Sequence, residues 1–479
     1  MPGTTPRTGW TLAIVSIALF MTALDNLVVG VALPSIRVDL GGSIESLEWT
    51  VNAYTLTFAV LLITGAALGD RFGRKRMFNI GLAIFTGASA LAALAPSIDG
   101  LIAARALQGL GAAIVLPLTL TILSDAIAPE KRGMALGIWA GVSGLGVAIG
   151  PFVGGAVVEG IAWQWIFWLN VPVGLILLPL AARRLTESHG PADRLDLPGL
   201  GLAGAGLFGV TFGIVRATAL GWTSATVMIS IGAGVVLLAA FLWWETRAPA
   251  PMLPLRFFRS RGFIASNGLS FAMFFGVFGS IFLLSQYFQT AQGYSPFEAG
   301  LRTLPWTAMP MIVAPIAGVL TDRIGARPLM VAGLALQSIA LFWLVGIGPD
   351  TAYSSLIVPF MIAGTGMALV FAPSTAAVLS SVRPEEAGQA SGAANAIREL
   401  GGVMGVAVLA TVFSAHGSYV SPQAFSDGVE AALPIGAAVL AAGAVIALFV
   451  PGLRQQRAMM ASAAPASTAP QPAEILAGG

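Results

Sequence analysis

Long apolar stretches recur along the whole chain, and each is about as long as a helix that crosses a lipid bilayer. A hydrocarbon core of about 30 Å needs about 20 apolar residues in a helix. Fourteen such stretches can be placed, near residues 12–34, 48–68, 77–95, 101–122, 134–158, 165–182, 198–215, 223–244, 263–287, 297–320, 328–346, 354–379, 389–413 and 430–450. The pattern therefore predicts an all-α polytopic membrane protein with fourteen spans.

The composition agrees with a chain whose solvent is lipid. Of the 479 residues, 56% are hydrophobic and only 10% are charged, whereas soluble domains carry roughly 25% charged residues. The chain has no cysteine and two histidines, which excludes disulfides, thiol nucleophiles and Cys/His metal sites. We therefore expect no enzyme activity, no metal and no cofactor. The net charge of +2 gives no reason to expect nucleic-acid binding.

The distribution of basic residues predicts how the spans are oriented. With the N-terminus on the cytoplasmic side, 19 of the 24 Lys and Arg residues fall on that side and only Arg37 and Arg216 fall in outside loops. This asymmetry matches the positive-inside rule. It predicts a multi-pass protein of the bacterial plasma membrane with both termini in the cytoplasm. The Ala/Pro/Ser-rich tail at 454–479 is predicted to be disordered.

An internal repeat divides the chain into two halves. The loops Leu68-Gly-Asp-Arg-Phe-Gly-Arg-Lys and Leu320-Thr-Asp-Arg-Ile-Gly-Ala-Arg are similar and lie 252 residues apart. The same offset relates the first five apolar stretches to the ninth to thirteenth. We predict six-span bundles at 1–185 and 263–453, with two additional spans and their linkers at 186–262. Parallel repeats of this kind are typical of transporters that hold substrate at the interface of the halves.

The two similar loops are candidates for a cytoplasmic gate. Its residues are Asp70, Arg71, Gly73, Arg74 and Lys75 in the first loop and Asp322 and Arg323 in the second. The positive-inside rule explains the basic residues but not Asp70. We predict a latch in which Asp70 docks at a helix N-terminus of the other half and Arg71 or Arg74 pairs with an acid such as Asp125 or Glu130. A purely topological use of the loop is the alternative.

Two charged residues, Asp25 and Arg105, lie within spans of the first half. Counted at ~1.5 Å per residue, they reach ~10 Å and ~6 Å below the same outer face. The repeat relates them to Val277 and Ile357, so the second half has no copy of this pair. Charge inside a membrane is costly, by roughly 2.5–3.5 kcal/mol per group, and often marks a functional site. The pair is either a static ion pair or a site where a carboxylate takes up and releases a proton.

Several motifs resemble those of the major facilitator superfamily and, within it, the fourteen-span drug:proton antiporters. They are the segment 24–34 around Asp25, the Asp-Arg-x-Gly-Arg-Lys loop at 70–75, and the Arg-x-x-Gln-Gly-x-Gly pattern from Arg105 to Gly111. The fifth span carries Gly146, Gly150, Pro151, Gly154 and Gly155, which resemble the antiporter motif. Its glycines alone would indicate ordinary close helix packing; the antiport interpretation comes from the resemblance. Departures are Ala66, where the pattern has Gly, and Gln164, where Arg is more usual.

Further polar residues within the spans are candidates for a substrate cavity or for coupling. Arg398 and Glu399 form a second group of charges within a span, with either a structural role or one in coupling. The remaining candidates are Asn26, Asn52, Tyr54, Gln108, Trp139, Asn267, Gln286 and Asn395. Each of them could equally serve helix packing or a hydrogen bond between helices.

These observations favour a proton-driven exporter of lipophilic compounds, some of them cationic, that works by alternating access. The proton gradient is the expected driving force, and the bilayer, lipophilic substrates and protons are the expected partners of a monomeric protein. Two alternatives stay open. One is a carrier of the same fold for a single metabolite or natural product, and the other is a membrane sensor that does not transport.

Overall fold

The computed structural model describes residues 6–127, 129–189, 196–249, 251, 253–379, 381–382 and 387–453. Within the first half it contains α1 (Pro6–Leu40), α2 (Ile44–Phe72), α3 (Arg74–Ala93), α4 (Ile98–Ala126), α5 (Pro129–Gly160), α6 (Trp165–Trp168) and α7 (Asn170–Arg184). The inserted segment contains α8 (Leu197–Leu220), α9 (Ala225–Glu245) and a 3-10 turn (Leu255–Arg259). The second half contains α10 (Arg261–Thr290), α11 (Pro296–Thr307), α12 (Met309–Ile324), α13 (Ala326–Trp343), α14 (Tyr353–Leu379), α15 (Ala387–His416) and α16 (Pro422–Ala447).

The predicted all-α membrane fold is confirmed, and every predicted apolar stretch falls on a helix or on a broken pair of helices. The sixth stretch forms α6 and α7, and the tenth forms α11 and α12. The second break lies at Ala308, two residues before Pro310; proline has no N–H to donate to the carbonyl four residues earlier, and its ring clashes with that carbonyl. By length and composition, twelve helical segments of the described chain can cross a membrane, or thirteen when the bent α2 is included. The count of fourteen spans stays a prediction because of α5. Its described part contains an apolar helix only over Ile149–Gly160, which is shorter than a membrane span.

The same helix pairings recur in the two halves. In the first half α1 packs on α5, α3 packs on α4 and α7, and α2 packs on α4. In the second half α10 packs on α15, α13 packs on α14 and α16, and α12 packs on α14. The predicted tail at 454–479 lies outside the described residues, as do 190–195 of the first linker.

The two inserted helices pack mainly on each other, and α8 also contacts α2 of the first half and α15 of the second. The pair therefore lies against both halves, on one side of the line where they meet.

The apolar core connects the halves at one end of the molecule. One cluster combines Val28, Ile36 and Trp163 of the first half with residues throughout the second half, such as Leu283 and Phe413. Another cluster, which includes Ile14, Phe78 and Leu118, contains first-half residues alone. The first-half residues of the shared cluster lie toward the ends of their helices that the positive-inside rule predicts to be outside.

Candidate functional site

Asp25 and Arg105 form a fully buried ion pair. The Arg105 Nη1 atom lies 2.5 Å from Asp25 Oδ2, and neither side chain has any exposed surface. Gln108 and Asn170 donate to the other carboxylate oxygen, Asp25 Oδ1, at 3.2 Å and 2.8 Å. Gln108 also donates to Ser89 Oγ at 2.8 Å. The Asp25 carboxylate thus accepts hydrogen bonds from three side chains on two helices, α4 and α7.

The position of Arg105 follows from helix geometry and from its neighbours. Residues three apart lie on one face of a helix, so Arg105 and Gln108 both point from α4 toward Asp25, and they bond each other at 2.9 Å. Arg105 Nε donates to the Thr50 carbonyl at 3.2 Å. The Tyr54 ring centre lies 4.3 Å from the guanidinium carbon, a cation–π distance. Arg105 Nη2 has no hydrogen-bond partner among the described residues.

Two members of this cluster were missed by sequence reasoning. Asn170 and Ser89 are ordinary polar residues of transmembrane helices until the rotation of those helices is known. Asn170 comes directly after the tryptophan-rich run 163–169 and begins α7. A polar residue at this point of the sixth span was the one sequence signal that could have identified it.

The second charged group has a different environment. Arg398 is buried and donates to Ser374 Oγ at 3.1 Å, to Thr375 Oγ1 at 2.8 Å and to Asn395 Oδ1 at 3.4 Å. Glu399 Oε2 is buried and has no hydrogen-bond partner in the described part of the chain. Glu399 lies on α15, which packs across the interface of the halves against α2, the helix that carries Tyr54.

Hydrogen bonds between the two halves lie at the predicted outer ends of the helices. Ser285 Oγ donates to the Gly30 carbonyl at 3.2 Å, and Gln289 Nε2 donates to the Val31 carbonyl at 2.8 Å. The backbone N–H of Phe297 donates to Glu159 Oε2 at 3.0 Å.

We call these contacts between the halves the outer closure, and aromatic and polar contacts at the same end extend it. The Arg37 guanidinium lies 3.9 Å from the Tyr419 ring centre, and the Tyr419 hydroxyl donates to Gln286. Glu48, which sequence reasoning did not single out, is buried in the second turn of α2 at this end. The structure is therefore closed between the halves on this side.

The glycines of the fifth span lie where helices approach most closely. Gly146, Gly150 and Gly154 face α1, and a Cβ at Gly154 would lie 3.1 Å from the backbone of Val28. Gly155 faces the second half, where a Cβ would lie 2.2 Å from the Pro296 carbonyl oxygen.

Pro151 takes part in the reciprocal contact. A Cβ at Gly300 of α11 would lie 2.2 Å from the Pro151 carbonyl oxygen. The motif is therefore part of the outer closure as well as of the packing between α1 and α5.

The cytoplasmic loop of the first half forms a compact charged cluster. Arg74 pairs with Asp70 at 2.8 Å and also with Asp125, the partner named from sequence. The Glu187 carboxylate accepts from the backbone N–H groups of Lys75 at 2.8 Å and Arg76 at 3.2 Å, and thereby caps α3. These described contacts lie within the first half and the linker that follows it, so the latch between halves stays a prediction.

The remaining gate residues are placed as follows. Arg71 and Arg323 are exposed, and Gly73 joins α2 to α3 with a φ of 101°, a backbone angle that favours glycine. The side chain of Asp322 lies outside the described residues.

The other cavity candidates are scattered. Asn52 is fully buried, and its amide atoms have no hydrogen-bond partner in the described chain. Trp139 donates to Thr119 Oγ1 at 3.0 Å, and Asn267 donates to the Phe263 carbonyl of its own helix at 2.9 Å. The side chain of Asn26 lies outside the described residues.

Comparison with known proteins agrees with this arrangement. Residues 15–406 match the Major Facilitator Superfamily. The chain is 34% identical to the tetracenomycin C resistance and export protein of Streptomyces glaucescens, over 87% of this chain and 78% of that protein. It is 36% identical to the multidrug resistance protein Stp of Mycobacterium tuberculosis, over 85% and 76%. It is 37% identical to the cephamycin export protein CmcT of Amycolatopsis lactamdurans, over 92% of each chain.

Solved structures show the same fold. A POT family transporter in complex with a thioalcohol-conjugated peptide superposes with a TM-score of 0.69 at 15% identity, over 91% of this chain and 95% of that one. The helices, the family match and the relatives lead to one conclusion: this chain belongs to the Major Facilitator Superfamily and is a membrane transporter, not an enzyme.

Proposed function

We propose that this transporter exports lipophilic drugs, cationic ones among them, in exchange for protons across the bacterial plasma membrane. Support for drug export comes from the relatives, which are named for resistance to or export of antibiotics. Support for proton coupling comes from the buried Asp25 cluster. In this proposal both termini are cytoplasmic and the protein acts as a monomer.

The proton site is the Asp25 carboxylate. Its ion pair with Arg105 has no access to solvent, and a proton on the carboxylate would leave the guanidinium as an uncompensated buried charge. Breaking a buried pair in this way costs about 3–5 kcal/mol. Protonation is therefore coupled to a rearrangement that gives Arg105 a new partner or access to water. This coupling is what antiport requires, because the proton then selects one conformation.

The substrate site of the proposal lies between Tyr54 and Glu399. Glu399 presents a buried oxygen without a hydrogen-bond partner in the described chain, and Tyr54 lies on α2, which packs against the helix of Glu399. A carboxylate beside an aromatic ring suits a lipophilic cation. Since Tyr54 also lies against Arg105, a bound cation would act on the proton site through one side chain.

Alternating access then uses the outer closure. The two halves are held together at the outer ends of α1, α5, α10 and α11, which is the arrangement of an inward-facing state. Opening to the outside requires these contacts to separate while the cytoplasmic ends approach.

The direct test is transport by the purified protein in proteoliposomes with an imposed pH gradient. A fluorescent lipophilic cation such as ethidium should accumulate on the acidic side, opposite to proton flow, and nigericin should abolish the accumulation. The proposal is wrong if a sodium gradient or ATP, but not the pH gradient, drives the movement.

A second candidate is export of one natural product with little breadth. The relatives favour it specifically, because two are named for a single compound, tetracenomycin C or cephamycin. A panel of dissimilar drugs separates the two: a multidrug transporter confers resistance to several chemical classes in a sensitive host, and a dedicated exporter to one.

A further inference from the structure

A groove in the lipid-facing wall lies outside the transport path described above. It has a volume of about 490 Å³ and runs between α2, α4 and the inserted helix α8. Trp49, Val60 and Leu61 line it from α2, Ala103 lines it from α4, and Gly204 and Phe208 line it from α8. Its walls are almost entirely apolar, and among the described residues Asp99 of α4 is the one charged residue that lines it.

The groove lies between two places where α8 contacts α2. At the outer end Arg216 of α8 pairs with Glu45 of α2 at 3.0 Å. One turn further in, the rings of Trp49 and Phe212 lie with their centres 6.0 Å apart. Deeper in the membrane α8 approaches α2 again at Gly204, where an added Cβ would lie 3.1 Å from Val60 Cγ1.

The dimensions of the groove match one leaflet of a bilayer. Along α2 it extends from Trp49 to Leu61, about 18 Å at ~1.5 Å per residue. Half of a 30 Å hydrocarbon core is about 15 Å. A compact drug would fill part of this length, whereas an acyl chain that starts at the headgroup level would fill all of it.

The charges at the outer end indicate the headgroup. Asp99 is exposed in the first turn of α4, at the depth where headgroups lie. Glu45 and Arg216 neutralise each other, so Asp99 is the carboxylate at the outer end of the groove without a salt bridge to another described residue. An ammonium group is attracted to it, and an anionic headgroup is repelled.

We propose that this groove binds a glycerophospholipid of the outer leaflet, with one acyl chain between α2, α4 and α8 and an ammonium headgroup at Asp99. The lipid fills the groove and so adds contacts between the inserted pair and the first half. The inference does not depend on drug transport or proton coupling, and it gives the inserted helices a role in lipid recognition.

The test uses Trp49 as a reporter in reconstituted protein. Phosphatidylcholine vesicles contain a minor fraction of phosphatidylethanolamine, phosphatidylglycerol or phosphatidylcholine with a dibrominated acyl chain, which quenches nearby tryptophan. The Trp49 contribution is the difference between wild type and Trp49→Phe. We expect brominated phosphatidylethanolamine to be enriched at Trp49 over phosphatidylglycerol by roughly two- to five-fold, the range for one exposed ion pair.

Three variants locate the lipid. Asp99→Asn should remove the headgroup preference and keep quenching by the acyl chain. Gly204→Leu should fill the groove and remove the Trp49 quenching. Gly201→Leu is the matched control, since it lies on the same helix with nothing within 4 Å of its added Cβ, and it should behave as wild type. If Gly204→Leu does not fold, Ala103→Leu fills the groove from α4.

Three results would overturn the proposal. The first is equal quenching by the three lipids in the wild-type protein. The second is displacement of brominated phosphatidylethanolamine by micromolar tetraphenylphosphonium, which would assign the groove to a lipophilic cation. Unchanged quenching in both groove-filling variants would equally contradict it.

Discussion

In the first half, Asp25 is surrounded by donors: Arg105 holds one carboxylate oxygen, while Gln108 and Asn170 hold the other. In the second half, Glu399 has a buried oxygen with no hydrogen-bond partner in the described chain, although it follows Arg398 directly in sequence. Consecutive helical residues point about 100° apart. Arg398 therefore donates no hydrogen bond to Oε2 of the neighbouring Glu399. Arg398 instead binds Ser374 and Thr375 of α14.

The difference suggests a division of work between the halves. A carboxylate with all its hydrogen bonds made within the protein needs no ligand, and its state changes only when the cluster is disrupted. A carboxylate with an oxygen left without a partner gains more from a cation that arrives from outside, because burying a charged group without partners is costly. We infer that the first half responds to protons and that the second half responds to substrate.

The strongest test of this division is Asp25→Asn. The amide keeps the shape of the side chain and cannot exchange a proton, so we expect no pH-driven accumulation of ethidium above that of protein-free liposomes. Binding of neutral substrates should be largely retained. Asp39→Asn, on the same helix but exposed, is the control and should transport normally. Uphill transport by Asp25→Asn under a pH gradient alone would move the proton site elsewhere, with Glu399 as the next candidate.

The helices and the Asp25–Arg105 pair could be predicted from sequence because the bilayer fixes them. Span length follows from bilayer thickness, and depth follows from counting along a helix, so two charges at similar depth are expected to meet. Asn170 and Glu187 could not be predicted in this way. Asn170 reaches Asp25 only through the rotation of α7, and Glu187 caps α3 from 112 residues away along the chain, a contact that no local pattern encodes.

The next test removes the positive partner in the first half. Arg105→Ala takes away the positive charge that pairs with Asp25 in the folded protein. The pH profile of transport should move upward by about one to three units, the usual effect of an adjacent opposite charge. Arg105→Lys retains the charge and should move the profile less. A profile unchanged in Arg105→Ala, at normal expression, would show that the pair is a static structural element.

The matching test in the second half is Glu399→Gln. Loss of this charge should weaken binding of lipophilic cations about tenfold, which corresponds to roughly 1.4 kcal/mol, and should leave neutral substrates unaffected. The pH profile should stay where it is in the wild type. Equilibrium binding of ethidium and of a neutral drug to the detergent-solubilised protein measures this split. Equal weakening of both ligands would point to a packing role, and a displaced pH profile would make Glu399 part of the proton site.

The smallest expected effect is that of Asn170→Ala, and it tests whether the proton site depends on the whole cluster or on the ion pair alone. Asn170 donates to the same carboxylate oxygen as Gln108, so its loss leaves that oxygen with one donor and leaves the pair with Arg105 intact. A hydrogen bond to a charged group contributes about 1.5–3 kcal/mol when nothing replaces it. Because Gln108 remains at the same oxygen, we expect less, an upward move of the pH profile of about half a unit. Asn79→Ala removes a comparable side chain that bonds only to its own helix, and it should leave the profile unchanged. If Asn170→Ala moves the profile as far as Arg105→Ala, the proton affinity is set by the network of donors and not mainly by the guanidinium.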